Sequence, residues 1–433
     1  MAGRIALHAR FGTQPLTELV APALALAEEG FEVDDHYVTA ARETLEVYNR
    51  YPALRESCAY VFRTHLRSGS LRHNGEVLRQ PALARLLREI ATSGGESFVH
   101  GAIAKALNHT MRAAGGILRA ADVDGYRPQS RTPIRAHFYE YELIAMGSPS
   151  SGGIALAETL NILEAVDFKR IAQSDAGLAV HYEIEAMKHA FADRSRYGGD
   201  ADFVDVPTAL LTSKAYAAKL AARISATATL SLSSYGVTSL PDDAGTSHFS
   251  IVDSRGMVVA STETINTAFG SLAAVDEWGL ILNNEMDDFA AEPGKPNAFG
   301  LVQSDRNAVA PGKRPLSSMS PTIVLKEGRP FLVLGASGGP RIISSVLHVL
   351  LEVTVLGHTL EQAMTARRPH HQWKPDRVFF DEAPSAELAH RLKQLGHKIA
   401  SKRKTGIVQA VLRTSHGWTG GSDPRKGGRP AGN

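Results

Sequence analysis

Apolar residues recur at helical spacing along the first part of the chain. Thr17–Glu29 carries such a stripe with Gly30 as its stop, and Asp34 or Asp35 opens a second helix toward Val47 that Pro52 interrupts. Pro81–Thr92 and Glu96–Ala114 repeat the amphipathic spacing, and Gly115-Gly116 ends the second of them. The period shifts toward strand over Thr132–Met146, where His137 to Tyr141 supply aromatic β-formers. Ser148-Pro149-Ser150-Ser151-Gly152-Gly153 reads as a turn feeding a helix over Ile154–Glu164. It lacks the Gly-Lys-Ser/Thr ending of a phosphate loop, which favours a structural role.

Helices are expected over Gly177–Phe191 and Ser213–Ile224. His181, Glu183, Glu185 and His189 lack the residue order of a zinc helix and read as surface and packing residues. Ser225 to Gly245, rich in Ser, Thr, Gly and Asp, reads as a flexible linker. Beyond it, 246–253 and 257–265 alternate apolar and polar residues around a turn at Asp253-Ser254-Arg255-Gly256, which predicts a β-hairpin.

The junction of linker and hairpin is Gly245-Thr246. Cleavage there would leave Thr246 with a free α-amine able to act as general base for its own hydroxyl. A peptide nitrogen cannot do this, so activity would have to follow self-cleavage, with the Thr246 hydroxyl attacking the Gly245 carbonyl and water opening the ester. Gly245 has no Cβ to obstruct that attack. Read alone, a Gly-Thr pair is most often no more than the start of a strand, with Thr246 as its first residue.

A second nucleophile competes. Gly335-Ala336-Ser337-Gly338-Gly339 follows an apolar strand (Phe331–Leu334) and precedes a helix (Arg341–Val355), the setting of an α/β-hydrolase elbow at Ser337. Asp376, Asp381, His390 and His397 lie downstream as triad partners. It ranks below Thr246, which also explains the linker, the hairpin and the polar motifs that follow.

Composition narrows the classes. With 47 basic against 45 acidic residues in 433, the net charge of +2 gives no field to recruit nucleic acid. Cys58 is the sole cysteine, which excludes an internal disulfide or a Cys-based zinc site. Met1 to Phe11 holds no run apolar enough for a signal peptide, and no later stretch approaches a membrane span. Lys402-Arg403-Lys404 reads as solvated surface.

The ordered run Thr-x-His-Phe-Ser-x-Val-Asp from Thr246, Asn283-Asn284-Glu285-Met286-Asp287-Asp288-Phe289, Pro315-Leu316-Ser317-Ser318-Met319-Ser320-Pro321-Thr322 and Gly338-Gly339-Pro340-Arg341 resembles the γ-glutamyltransferases (glutathione hydrolases) over most of the chain. Arg367 to Trp373, with its adjacent His370 and His371, and Gly421 to Arg425 look like that family too. Adjacent histidines point to opposite sides of an extended backbone and chelate poorly, so a supporting role is expected for this pair.

The resemblance implies an α+β N-terminal-nucleophile hydrolase, a four-layer αββα sandwich with a helical N-terminal region. Residues 1–245 would form a partial large-subunit-like region and 246–433 a small-subunit-like catalytic region, the two fragments associating around one core. Thr264 would hydrogen-bond the Thr246 hydroxyl. Asn266, Glu285 and Asp288 would hold a substrate α-ammonium, Ser317 and Ser318 its α-carboxylate, and Gly338 and Gly339 the oxyanion. Glutathione or another γ-glutamyl compound would be the donor, and water, an amino acid or a peptide the acceptor, without metal or organic cofactor.

Family members are often periplasmic or extracellular. They also carry an arginine for the α-carboxylate in a preceding portion, and no residue of this chain matches it. Phe299 stands where many members have a lid tyrosine. A cephalosporin-type acylase and an inactive fragment are the remaining alternatives.

Overall fold

The computed structural model describes residues 1–235, 246–293, 295, 303–400 and 404–432. Gly245, Phe299, Lys402 and Arg403 lie outside the described residues; Lys404 is exposed. Two compact units form, Met1–Ser130 with Ala268–Asn284, and Arg131–Thr267 with Glu285–Asn433.

The first unit is mainly helical, and its helices stop where local chemistry says they should. Leu16–Glu29 ends at Gly30 with φ 93°, and Asp35–Arg50 is capped by the Asp34 carboxylate accepting the Tyr37 N–H at 2.8 Å. Pro81 opens Pro81–Ser93, and Gly94 closes it in the left-handed conformation. The single helix expected over Glu96–Ala114 is instead two, Glu96–Val99 and Ala102–Ala113. The break falls at Gly101, where a Cβ would sit 2.5 Å from the Ser97 Cα. Tyr48, Val61 and Leu66 pack with Phe269 and Ala274 in one of the small cores of this unit.

The second unit is built on a six-stranded sheet. In chain order its named strands are β1 (Ile134–Phe138), β2 (Tyr141–Ala145), β3 (Thr246–Val252), β4 (Val258–Thr264), β5 (Thr322–Lys326), β6 (Arg329–Ser337), β7 (Ile407–Thr414) and β8 (Gly417–Ser422). The main sheet runs β8-β7-β6-β5-β2-β1, and every neighbouring pair in it is antiparallel. An α/β-hydrolase elbow sits in a parallel sheet flanked by crossovers. Its local signature at Ser337 therefore stands in the wrong sheet.

Alternation along β6 sorts the layers. Leu332, Leu334 and Ala336 point into the large core shared with helices α1 (Gly152–Ala165), α2 (Ala176–Tyr197), α3 (Lys214–Ala221) and α4 (Arg341–Thr354). Val333, Gly335 and Ser337 take the other face, where the β3–β4 hairpin lies. A Cβ on Gly335 would meet the His248 ring at 2.3 Å, so this glycine lets hairpin and sheet touch. The Ser250 hydroxyl donates to the Val333 carbonyl at 3.1 Å across the same contact.

Two expectations give way here. Helix α2 is buried without interruption from His181 to Arg194, so His181, Glu183, Glu185 and His189 are interior rather than surface groups. Further, Ser225 to Tyr235 is docked rather than a free linker. The Thr229 hydroxyl lies 2.5 Å from both Glu185 and Lys188, the Tyr235 hydroxyl donates to Glu185, and the Trp373 indole donates to the Leu232 carbonyl at 3.3 Å. Serine and threonine content suggests a linker, but here the hydroxyls serve a buried Glu185–Lys188 pair.

Candidate active site

Thr246 and Thr264 are the terminal cross-strand pair of the β3–β4 hairpin. Thr246, nearly buried, donates its hydroxyl to Thr264 Oγ1 at 3.2 Å. The chain turns directly after β4 because Asn266 adopts φ 75°, a left-handed conformation that asparagine tolerates. That turn aims the Asn266 N–H at Thr264 Oγ1, 2.7 Å away. Thr264 also hydrogen-bonds the Glu285 carboxylate. A polar path thus runs from Thr246 through Thr264 to Glu285.

The short helical turn Glu285–Asp288 carries the two acids. Their side chains hydrogen-bond one another. Burial raises the Glu285 pKa. Asp288 is pushed up to about 8, by burial first and then by the neighbouring Glu285 charge, with Arg194 opposing.

Ser317 and Ser318 lie on a loop clamped by the Ser150–Gly152 turn. Ser151 donates both its N–H (2.9 Å) and its hydroxyl (2.8 Å) to the Ser317 carbonyl, and the Ser150 hydroxyl donates to the Met319 carbonyl at 2.6 Å. A Cβ at Gly152 would lie 2.2 Å from Ser320 Oγ, so the glycine permits this contact. The structural role expected for the Gly-rich turn is therefore specific. It fixes the serine loop.

These parts meet in one small recess. Thr246, Thr264, Asn266 and Asp288 line one part of it, and Ser317, Ser318 and Gly339 another. Glu285 reaches it through Asp288 and Thr264. Gly338 (φ 134°) and Gly339 (φ 54°) join β6 to helix α4 in conformations that favour glycine.

Arg194, in the last turn of α2, is the buried charge that the sequence did not suggest. Its Nε donates to Ser151 Oγ at 2.8 Å and its Nη2 to Ser318 Oγ at 3.2 Å. Burial lowers its pKa to about 10, against the favourable effect of Asp288.

The rival groups are engaged elsewhere. The triad candidate His397 donates to the Nδ1 of His181 at 2.7 Å, since His181 Nε2–H is given to the Ser225 carbonyl. Asp376 pairs with Lys398 at 2.7 Å, and Asp381 with Arg425. His181, Glu185 and His397 lie close enough to suggest a metal site. The Lys188 ammonium, 2.8 Å from Glu185, already occupies the cationic position there. His370 and His371 diverge as expected: the first meets Ser344 Oγ at 2.8 Å, the second accepts the Trp373 N–H at 3.0 Å.

Comparison with known proteins places this geometry. The cephalosporin acylase from Bacillus halodurans superimposes with a TM-score of 0.84 at 26% identity, over 98% of this chain and 75% of that one. The fold is thus the mixed helix-and-sheet fold of the N-terminal-nucleophile acylases and transpeptidases. The gamma-glutamyltranspeptidase family model matches residues 1–433, and the chain belongs to that family. The glutathione hydrolase proenzyme of Escherichia coli (strain K12) is 40% identical over 421 residues, 96% of this chain and 71% of that protein. That of Pseudomonas sp. (strain A14) is 37% identical over 426 residues, 98% and 71% respectively.

Proposed function

We propose that the chain is a γ-glutamyltransferase and glutathione hydrolase that cuts itself at Gly245-Thr246 and uses the freed Thr246 as nucleophile. One observation carries this reading: the Thr246 hydroxyl shares a recess with an acidic turn and a serine loop. In the precursor, the hydroxyl attacks the Gly245 carbonyl and its proton leaves along Thr264 toward Glu285, whose raised pKa makes it a better base. The bond from the Gly245 carbonyl carbon to the Thr246 nitrogen then breaks as that proton is delivered to the nitrogen, which leaves an ester and a free Thr246 amine. Water opens the resulting ester.

In the mature enzyme the Thr246 amine takes the hydroxyl proton as oxygen attacks the γ-carbonyl of the donor. The C–N bond breaks, the amine departs with that proton, and a γ-glutamyl ester remains for water or an acceptor amine. Asn266, Glu285 and Asp288 would receive the α-ammonium, because two carboxylates and an amide carbonyl form an acceptor set for it. Ser317 and Ser318 would donate to the α-carboxylate. The N–H groups of Gly338 and Gly339 would stabilise the oxyanion, where one donor is typically worth about 3 kcal/mol.

The division into 1–245 and 246–433 around one core is part of the proposal. It is supported by the main sheet, which draws β1 and β2 from one side of the cut and β5 to β8 from the other. In the four-layer αββα arrangement the β3–β4 hairpin would belong to the second sheet. Cephalosporin-type acylation is the lesser reading, because the paired acids suit an ammonium-bearing acyl group.

Denaturing electrophoresis with N-terminal sequencing tests the proposal. The wild type should yield a fragment beginning Thr246-Ser247-His248 and hydrolyse γ-glutamyl-p-nitroanilide, whereas Thr246→Ala should do neither. Equal amidase activity in both proteins would overturn it.

A further inference from the structure

We infer that Arg194 is a positioning and specificity residue: it fixes Ser318 as a hydrogen-bond donor and supplies positive charge for the carboxylate end of the acyl donor. This rests on the γ-glutamyl reading above.

Hydrogen-bond polarity comes first. A guanidinium can only donate. Ser151 Oγ and Ser318 Oγ each accept from Arg194, at 2.8 and 3.2 Å, so each serine must send its own hydrogen elsewhere. Ser151 gives its hydrogen to the Ser317 carbonyl at 2.8 Å, completing the clamp on the loop. For the Ser318 hydrogen there is no acceptor among the described residues, and Ser318 lines the recess beside Thr246. Its hydroxyl is thus left as a donor facing the place where an acyl donor would bind.

Charge comes second. Arg194 is only 5% exposed, and its Nη1 has no hydrogen-bond partner among the described residues. Asp288 is the carboxylate that acts on it, and burial keeps that carboxyl largely protonated at neutral pH. The guanidinium charge is therefore poorly compensated by the protein. A ligand carboxylate received by Ser318 would compensate it, through one intervening hydroxyl.

The chemical class follows. Good donors carry a free α-carboxylate, and the same amide without it should gain nothing from Arg194.

Paired kinetics on γ-glutamyl-p-nitroanilide and 4-aminobutyryl-p-nitroanilide, which differ only in that carboxylate, test the inference. Arg194→Lys should raise KM for the first about tenfold, as expected for a weakened charge-assisted contact, with kcat nearly kept. Its kcat/KM for the second should stay within about twofold of wild type. Ser151→Ala leaves the charge but loosens the guanidinium, and it should produce a smaller KM rise on the first substrate alone. It also serves if Arg194→Lys does not fold. Equal losses on both substrates, or no loss on either, in whichever variant folds would overturn the inference while leaving the proposed function intact. A wild type that processes neither substrate would instead sink the function.

Discussion

Thr246 and Thr264 face each other as the last cross-strand pair of a seven-pair hairpin, hydroxyl to hydroxyl at 3.2 Å. Strand register alone makes this contact, so it can form before any peptide bond is cut.

Thr264→Val keeps the shape of the side chain and removes its hydroxyl. The Asn266 N–H then loses its 2.7 Å acceptor and Thr246 its partner. An unsatisfied buried group costs about 1–3 kcal/mol, so self-cleavage should slow by roughly tenfold or more. Thr264→Ser should recover most of the rate. A time course of precursor disappearance decides, and equal rates for Thr264→Val and wild type would exclude the contact from processing.

Asp288 gives the site a pH dependence. Its pKa is pushed up to about 8 by burial and by Glu285, while an ammonium ligand favours the ionised form. Below that value binding must expel a proton, so KM should fall as pH rises from 6.5 to 8, by at most about tenfold per unit. Stability runs the other way. The folded carboxyl keeps a proton that the unfolded one has released above its usual pKa near 4, so stability contributed at low pH is lost as pH rises toward 8. Asp288→Asn should flatten the KM profile and melt higher than wild type at pH 8.5. Parallel profiles for the two proteins would refute both statements.

The two glycines after β6 should differ in cost. Gly338 has φ 134°, and a Cβ there would lie 2.8 Å from the Gly406 Cα. Gly339 has φ 54°, which alanine can adopt with modest strain. Gly338→Ala should lose about 1–3 kcal/mol and Gly339→Ala about 1. Urea denaturation that ranks them in the reverse order would contradict the geometry.

The Glu185–Lys188 pair is almost wholly buried. Glu185→Gln strands the ammonium and should cost about 3–5 kcal/mol. Tyr235→Phe removes a single hydroxyl contact to Glu185 and should cost about 1 kcal/mol. It should also make Ser225 to Tyr235 easier to nick, which limited proteolysis would detect.

Locally encoded features were legible. Gly30 and Pro81 set helix ends through their own backbones and Asp34 through its carboxylate cap, and the hairpin after Thr246 followed from alternation and an Asp-Ser-Arg-Gly turn. Motif order likewise named Thr264, Asn266, Asp288 and Ser318 before any geometry placed them around Thr246.

Contacts made at long sequence separation were not legible. Arg194 reaches Ser318 across 124 residues, from a helix buried on all sides that has no polar face to mark it. Thr229 and Tyr235 resemble linker residues until Glu185 and Lys188 meet them. Ser337 had the right neighbours in sequence, but whether its sheet is parallel depends on strands that lie far away in the chain.

The main sheet places β2 against β5 over five residue pairs. A cut at Gly245-Thr246 would therefore leave its two products stitched along a line through the middle of a sheet, with core side chains on one face and the hairpin on the other. Parting them means melting the fold, so dissociation and unfolding should occur in one cooperative step. Because that step frees two chains, the melting temperature of the severed protein should rise with its concentration, whereas that of the uncut Thr246→Ala chain should not. Scission would then change the chemistry of one nitrogen and leave the architecture almost untouched.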